Sequence, residues 1–236
     1  MRKLGLIGGM SWVSTVTYYQ QINRLVNKAA GGMTSAPLLI ESLDFSTLCA
    51  STSAEQWDHA AQELTASALR LQDAGAQGLV IGANSMHKVY DQVAGAIDIP
   101  VLHIADCVGA QMKADNCHVA SLIGTRNVMT ESFYRQRLVA HGVDLLPPDM
   151  SVVEEVNRII YEELMVGKIT RDAQREMRTI ITNKEKEGAR GIVLACTELE
   201  LVVDVDVNLL PIFDSTRAHC QAAANFILGK DQGLVP

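Results

Sequence analysis

The sequence lacks the marks of several protein classes. None of its 236 residues belongs to a run of about 18 apolar residues, so no transmembrane helix is expected. The opening "MRKLGLIGGMSW" passes from two basic residues into a short apolar run, without the core and cleavage site of a signal peptide. The expected location is therefore cytoplasmic, with no membrane partner. Basic charge is scarce: 20 Lys+Arg stand against 27 Asp+Glu, and the net charge is -7. Nucleic acid is not an expected partner, because tracking phosphates requires a basic face. The five cysteines, Cys49, Cys107, Cys117, Cys196 and Cys220, are scattered and contain no C-x-x-C pair. That spacing points to neither a zinc site nor a redox dithiol, and leaves chemistry to single thiols. Low-complexity tracts and long linkers are also missing. What remains is an ordinary globular balance, 48% hydrophobic and 20% charged, long enough for one large domain or two small ones.

Short apolar runs alternate with stretches of helical period. Residues 4–7, 37–43, 78–82, 100–104, 119–123, 191–195 and 211–213 read as buried strands. Helices are predicted around 12–29, 54–74, 106–113, 130–141, 151–166, 171–187 and 215–228. In the second of these, Ala60, Leu64, Ala68 and Leu71 share one face while Glu55, Asp58 and Gln62 lie on another. The alternation predicts an α/β fold with parallel sheets covered on both sides.

An internal repeat refines this. "AGAQGLVIGANS" from residue 74 aligns without a gap on "EGARGIVLACTE" from residue 187. "LIGG" at 6–9 resembles "LIGT" at 122–125, and "IPVLHI" at 99–104 resembles "LPIFDS" at 210–215. Three matches in one order at nearly one offset indicate a duplicated half. The expectation is two similar parallel-sheet α/β domains about a pseudo-two-fold axis with the active site between them: residues 1–105, completed by 212–236, and residues 106–211.

In such sheets ligands sit beyond the carboxyl ends of the strands. Those ends carry Met10 and Ser11, Ala83-Asn84-Ser85, Thr125-Arg126, and Cys196-Thr197-Glu198. The repeat makes positions 83 and 196 equivalent. Cys196 closes a buried strand, and exposed N–H groups of a following helix would lower its pKa; a plain buried thiol is the other reading. Asn84 and Ser85 offer an amide and a hydroxyl to a carboxylate, or cap the next helix. His87 either donates to that carboxylate or supports the loop. "GLIGGMSW" lacks the G-x-G-x-x-G spacing of a dinucleotide site.

With "NSMHK" at 84–88 and "ACTELE" at 195–200, the chain resembles the aspartate/glutamate racemase family over essentially its full length. The likeness continues through "GGMSWVSTVTYYQQIN" (8–23), "SLDF" (42–45), "LHIAD" (102–106), "LIGTRNVM" (122–129), "IIYEEL" (159–164) and "PIFDST" (211–216). It is most similar to the branch of broad-specificity amino-acid racemases and L-aspartate/glutamate-specific racemases. The resemblance implies a homodimer without metal or pyridoxal phosphate, acting on a small amino acid or dicarboxylate. Two opposed residues, usually cysteines, would exchange the α-proton from opposite faces. Cys196 fits one position. The other holds Ala83, which has no proton to exchange. Water or Ser85 would then serve that face, or the chain is a binding protein without turnover, or a single-thiol relative such as a decarboxylase. The resemblance further assigns substrate contacts to Met10, Ser11, Thr52, Asn84, Ser85, Thr125, Thr197 and Glu198.

Overall fold

The computed structural model describes residues 1–48, 53–204 and 208–230. The chain divides into two units, Met1–Ile104 with the chain from His219 onward, and Ala105–Ala218. In the first, β1 (Leu4–Gly8), α1 (Trp12–Ala30), β2 (Leu38–Ser42), α2 (Ala54–Asp73), β3 (Gly78–Ile81), α3 (Tyr90–Ala94) and β4 (Val101–Leu102) follow in turn. α4 (Ile104–Ala114) leads into the second unit, which contains β5 (Val119–Gly124), α5 (Arg126–Thr130), α6 (Ser132–Ala140), β6 (Asp144–Leu145), α7 (Met150–Arg158), α8 (Arg171–Lys186), β7 (Gly191–Ala195) and β8 (Ile212–Asp214). α9 (Ser215–Ile227) starts in the second unit and ends in the first.

Each unit has a four-stranded, wholly parallel sheet, in the orders β2-β1-β3-β4 and β6-β5-β7-β8. The orders are the same when β5 is matched to β1, so the duplicated half read from the sequence is present in the topology. β1, β3 and β7 are buried along their whole length, as strands covered on both faces by helices must be.

The helices form where an apolar stripe meets a cap. Tyr18, Ile22 and Val26 bury one face of α1 at four-residue spacing. Ser53 and Gln56 make a reciprocal capping box at the start of α2, whose Trp57, Leu64, Ala68 and Leu71 pack inward. In α8 the Thr170 side chain accepts from the Ala173 N–H, and Ala173, Met177, Ile180 and Ile181 are buried.

Two glycines at the sheet ends are required by close approach. Gly9 has φ +86°, and a Cβ there would stand 2.1 Å from the Leu43 carbonyl oxygen. At Gly124 a Cβ would lie 2.7 Å from the Ala195 carbonyl oxygen, on the strand that leads to Cys196.

The structure corrects the expected organisation at several points. Residues 212–218 go with the second unit, because β8 pairs in register with β7, Leu194 opposite Asp214. β6 was not predicted: it is two residues at a sheet edge, half-buried and exposed, and so has no apolar run. α3 is a five-residue helix that the pattern also misses. The stretch 130–141 breaks at Glu131, whose extended backbone separates α5 from α6. The stretch 151–166 is α7 followed by a π turn over Ile159–Glu163 and a 3-10 turn over Leu164–Val166. Among the described residues no helix is long and apolar enough to cross a membrane.

Candidate active site

At the carboxyl end of the first sheet, Ile7 pairs with Ile81, which brings the Gly8-Gly9 turn beside Gly82-Ala83. The turn is tied down locally. Gly9 N–H donates to Thr15 Oγ1 at 2.7 Å, Thr15 Oγ1 donates to the Ser11 carbonyl at 3.0 Å, and Ser11 caps α1. Met10 is buried among the apolar side chains of the first unit, including Leu48, Trp57 and Leu64. Ser11 is half-buried. Thr52, like Cys49, lies outside the described residues.

Ala83 and Asn84 are each 5% exposed, and Ser85 is half-buried. Asn84 precedes a 3-10 turn, Ser85–Val89, but its side chain makes no cap hydrogen bond. Both polar atoms of its amide are buried without a hydrogen-bond partner. Leaving such a group unsatisfied costs about 1–3 kcal/mol, which makes this amide a candidate to bind a polar ligand or water. His87, 2% exposed, points neither ring nitrogen outward: Nδ1 lies 2.9 Å from the Ala83 carbonyl and Nε2 3.2 Å from the Ile104 N–H.

The second sheet ends in a different chemistry. Gly124 pairs with Ala195, so Thr125 and Cys196 leave neighbouring strands side by side. Thr125 is buried, and its hydroxyl has no partner and does not cap α5. Arg126 is half-buried and ion-paired with Glu154. Cys196 is 8% exposed and donates from Sγ to Glu198 Oε2 at 3.1 Å. The Thr197 hydroxyl donates to the same oxygen at 2.6 Å. Glu198 is itself buried.

These contacts reverse one expectation. Burial, and after it the charge of Glu198, push the Cys196 thiol well above its ordinary pKa, where a lowered value was expected. The backbone N–H groups of Glu198 and Leu199 do act in the expected direction. They belong to a five-residue 3-10 turn, Thr197–Leu201, and the buried carboxylate outweighs them. The resting sulfur is a protonated thiol.

A carboxyl pair beside this turn is absent from the residues singled out in the sequence. Asp214 accepts from the N–H groups of Thr216 at 2.7 Å and Arg217 at 3.1 Å, at the start of α9. Burial, then the charge of Asp214, raise Glu200 to about 7. The Thr216 hydroxyl beyond β8 is buried without a hydrogen-bond partner. The repeat signalled this region by matching 210–215 to 99–104. Among the described residues no group of three or more His, Cys, Asp or Glu is arranged to hold a metal ion.

Among the described residues, the end of the first sheet carries an unpartnered amide, and the end of the second a thiol hydrogen-bonded to a carboxylate and the unpartnered Thr125 hydroxyl. A thiol and carboxylate in contact can pass a proton, while amide and hydroxyl groups can bind a polar ligand. Known proteins share this fold. An Asp/Glu racemase candidate from Yersinia pestis superposes with a TM-score of 0.90 at 42% identity, covering 97% of this chain and 100% of that one. An aspartate racemase homologue from Pyrococcus horikoshii gives 0.82 at 30% identity over 97% of this chain and 100% of that one. The broad specificity amino-acid racemase RacX of Bacillus subtilis is 23% identical over 161 residues, 68% of this chain and 69% of RacX. The family model for Asp/Glu/hydantoin racemase matches residues 7–223, and the chain belongs to that family.

Proposed function

We propose that the protein is a cofactor-independent amino-acid racemase-type enzyme that exchanges the α-proton of aspartate, glutamate or a related amino acid through Cys196. The observation that carries this reading is the buried thiol hydrogen-bonded to Glu198 at the end of β7. Glu198 accepts the Sγ proton, the resulting thiolate removes the α-proton, and the steps reverse to return it. Burial that raises the thiol also makes its thiolate a strong base, suited to a weakly acidic C–H bond. Thr197 holds the Glu198 oxygen in place. Asn84 and Ser85 in the first unit, and Thr125 in the second, offer donors for a substrate carboxylate that strengthen as charge develops in the transition state; Met10 and Ser11 stand beside Asn84 and Ser85 at the end of the first sheet. This scheme uses the chain's own groups and calls for neither pyridoxal phosphate nor a metal.

Ala83 supports a second reading. In the two-position scheme of the family it is the other acid/base position, and a methyl group carries no exchangeable proton. The enzyme would then exchange the α-proton without inverting the centre, or bind the amino acid without turnover. Following each enantiomer of aspartate and glutamate in heavy water by NMR separates the readings. Loss of the α-proton supports the enzyme, inversion a working racemase, and binding without exchange removes the enzymatic reading for those substrates.

Ala83→Cys is expected to raise inversion relative to exchange by about 10²-fold, the scale of a restored general acid–base group. Chiral chromatography of the products checks it, and an unchanged ratio means that Ala83 is not the missing group. The homodimer that the resemblance implies predicts twice the 25.6 kDa chain mass by light scattering. Exposed Trp12, Val16 and Tyr19, on one face of α1, support a covered surface there.

A further inference from the structure

We infer that His87 is a positioning residue of the proposed site, whose ring fixes the Ala83–Asn84 peptide and thereby aims the Asn84 amide at the substrate. The inference rests on the function proposed above for its consequence, while its structural part stands on hydrogen-bond chemistry within the first unit.

The tautomer follows from the partners. The Ile104 N–H can only donate, so Nε2, 3.2 Å away, must be the accepting nitrogen. The ring proton is then on Nδ1, which donates to the Ala83 carbonyl at 2.9 Å. The backbone N–H of His87 donates to the next carbonyl, that of Asn84, at 3.2 Å. One residue thus occupies two consecutive carbonyls of the turn and anchors them to the first residue of α4.

The ring cannot swing away from this duty. It is 2% exposed and packs against His103, with centroids 4.5 Å apart, and near His219 at 5.7 Å and Tyr90 at 6.4 Å. Tyr90 is itself anchored by its hydroxyl to the Val101 carbonyl at 3.0 Å. Asn84, by contrast, has no hydrogen bond holding its amide. Its aim is set by the backbone on which it stands, and His87 holds that backbone.

Two variants test this. In His87→Gln the side-chain amide can donate to Ala83 and accept from Ile104; His87→Leu fills similar space and can do neither. In NMR spectra of the wild-type chain the His87 ring should show the neutral Nδ1–H tautomer, and the Asn84 side-chain amide a single pair of resonances. His87→Leu should split or broaden that pair, and His87→Gln should restore it. These readouts need no turnover, so a chain that fails to exchange α-protons would count against the proposed function and leave this test intact. With exchange present, His87→Leu should raise KM about tenfold or more with kcat changed less than threefold, and His87→Gln should recover most of the loss. An Nε2–H tautomer, an Asn84 pair unaltered in His87→Leu, or equal KM losses in both variants would overturn the inference.

Discussion

Cys196→Ala is expected to lower α-proton exchange by about 10³-fold or more, the upper part of the range for losing a general acid–base group. Cys196→Ser should be nearly as poor, because a hydroxyl is a far weaker acid than even this raised thiol. Neither change should unfold the chain. Cys196 lies in the core of the second unit with Ile123, Leu194 and Leu199, and trimming one sulfur there costs roughly 1 kcal/mol. Heavy-water exchange beside a thermal unfolding curve separates lost chemistry from a lost fold. Exchange within threefold of wild type in Cys196→Ala would end the proposed mechanism.

Glu198 gives the same argument a second handle. Its charge is the largest contribution after burial to the raised thiol. Glu198→Gln keeps the shape but removes both that charge and the proton acceptor, so exchange near neutral pH should fall and what remains should follow ionisation of the thiol to solvent, with a pH midpoint different from that of wild type. A purely structural Glu198 would lower the rate without moving the midpoint.

The parts of this molecule that were legible in the sequence are those in which one residue's neighbours along the chain decide its fate. β1, β3 and β7 are short apolar runs because both faces are covered, and α2 and α8 show their inward stripes directly. β8 is instructive: its place in the second sheet was implied by the likeness of 210–215 to 99–104, and the boundary drawn at residue 212 set that likeness aside. β6 was illegible because two edge residues bury too little to leave a pattern. In the site, the placement of Cys196 and Asn84 at strand ends was visible. The state of each was not. Whether the Cys196 thiol is raised or lowered depends on the Glu198 carboxylate curling back to 3.1 Å, and that Asn84 is unpartnered depends on every group that does not reach it. Glu200 and Asp214 come together from separate elements, so neither announces the other in the sequence.

Acid should weaken the first unit before the second. His219 is fully buried, and its partners fix a neutral ring: the Leu102 carbonyl, 3.0 Å from Nε2, can only accept, so Nε2 carries the proton and Nδ1 accepts from the Tyr18 hydroxyl at 2.8 Å. Burial, with a smaller contribution from His87, lowers its pKa from 6.5 to about 3. The unfolded chain therefore binds a proton below pH 6.5 that the folded chain refuses until about pH 3, and stability falls with pH across that window. The slope is about 1.4 kcal/mol per pH unit, so roughly 3 kcal/mol is lost by pH 4.5, a large share of the 5–15 kcal/mol typical of a domain. Glu200 in the second unit has the opposite sign. Raised to about 7, it binds its proton more tightly when folded, and its contribution grows as pH falls from 7 towards 4.5. Both tryptophans, Trp12 and Trp57, belong to the first unit, so their fluorescence follows that unit. Urea midpoints read from it should drop between pH 7 and pH 5. Hydrogen exchange at pH 5 should rise in β1, β3 and β4 ahead of β5 and β7. His219→Leu, less stable at pH 7 for want of the Leu102 and Tyr18 hydrogen bonds, should nevertheless lose most of the pH slope. A wild-type midpoint that stays constant over this range, or a slope retained in His219→Leu, would show that the buried ring is not the acid-sensitive element.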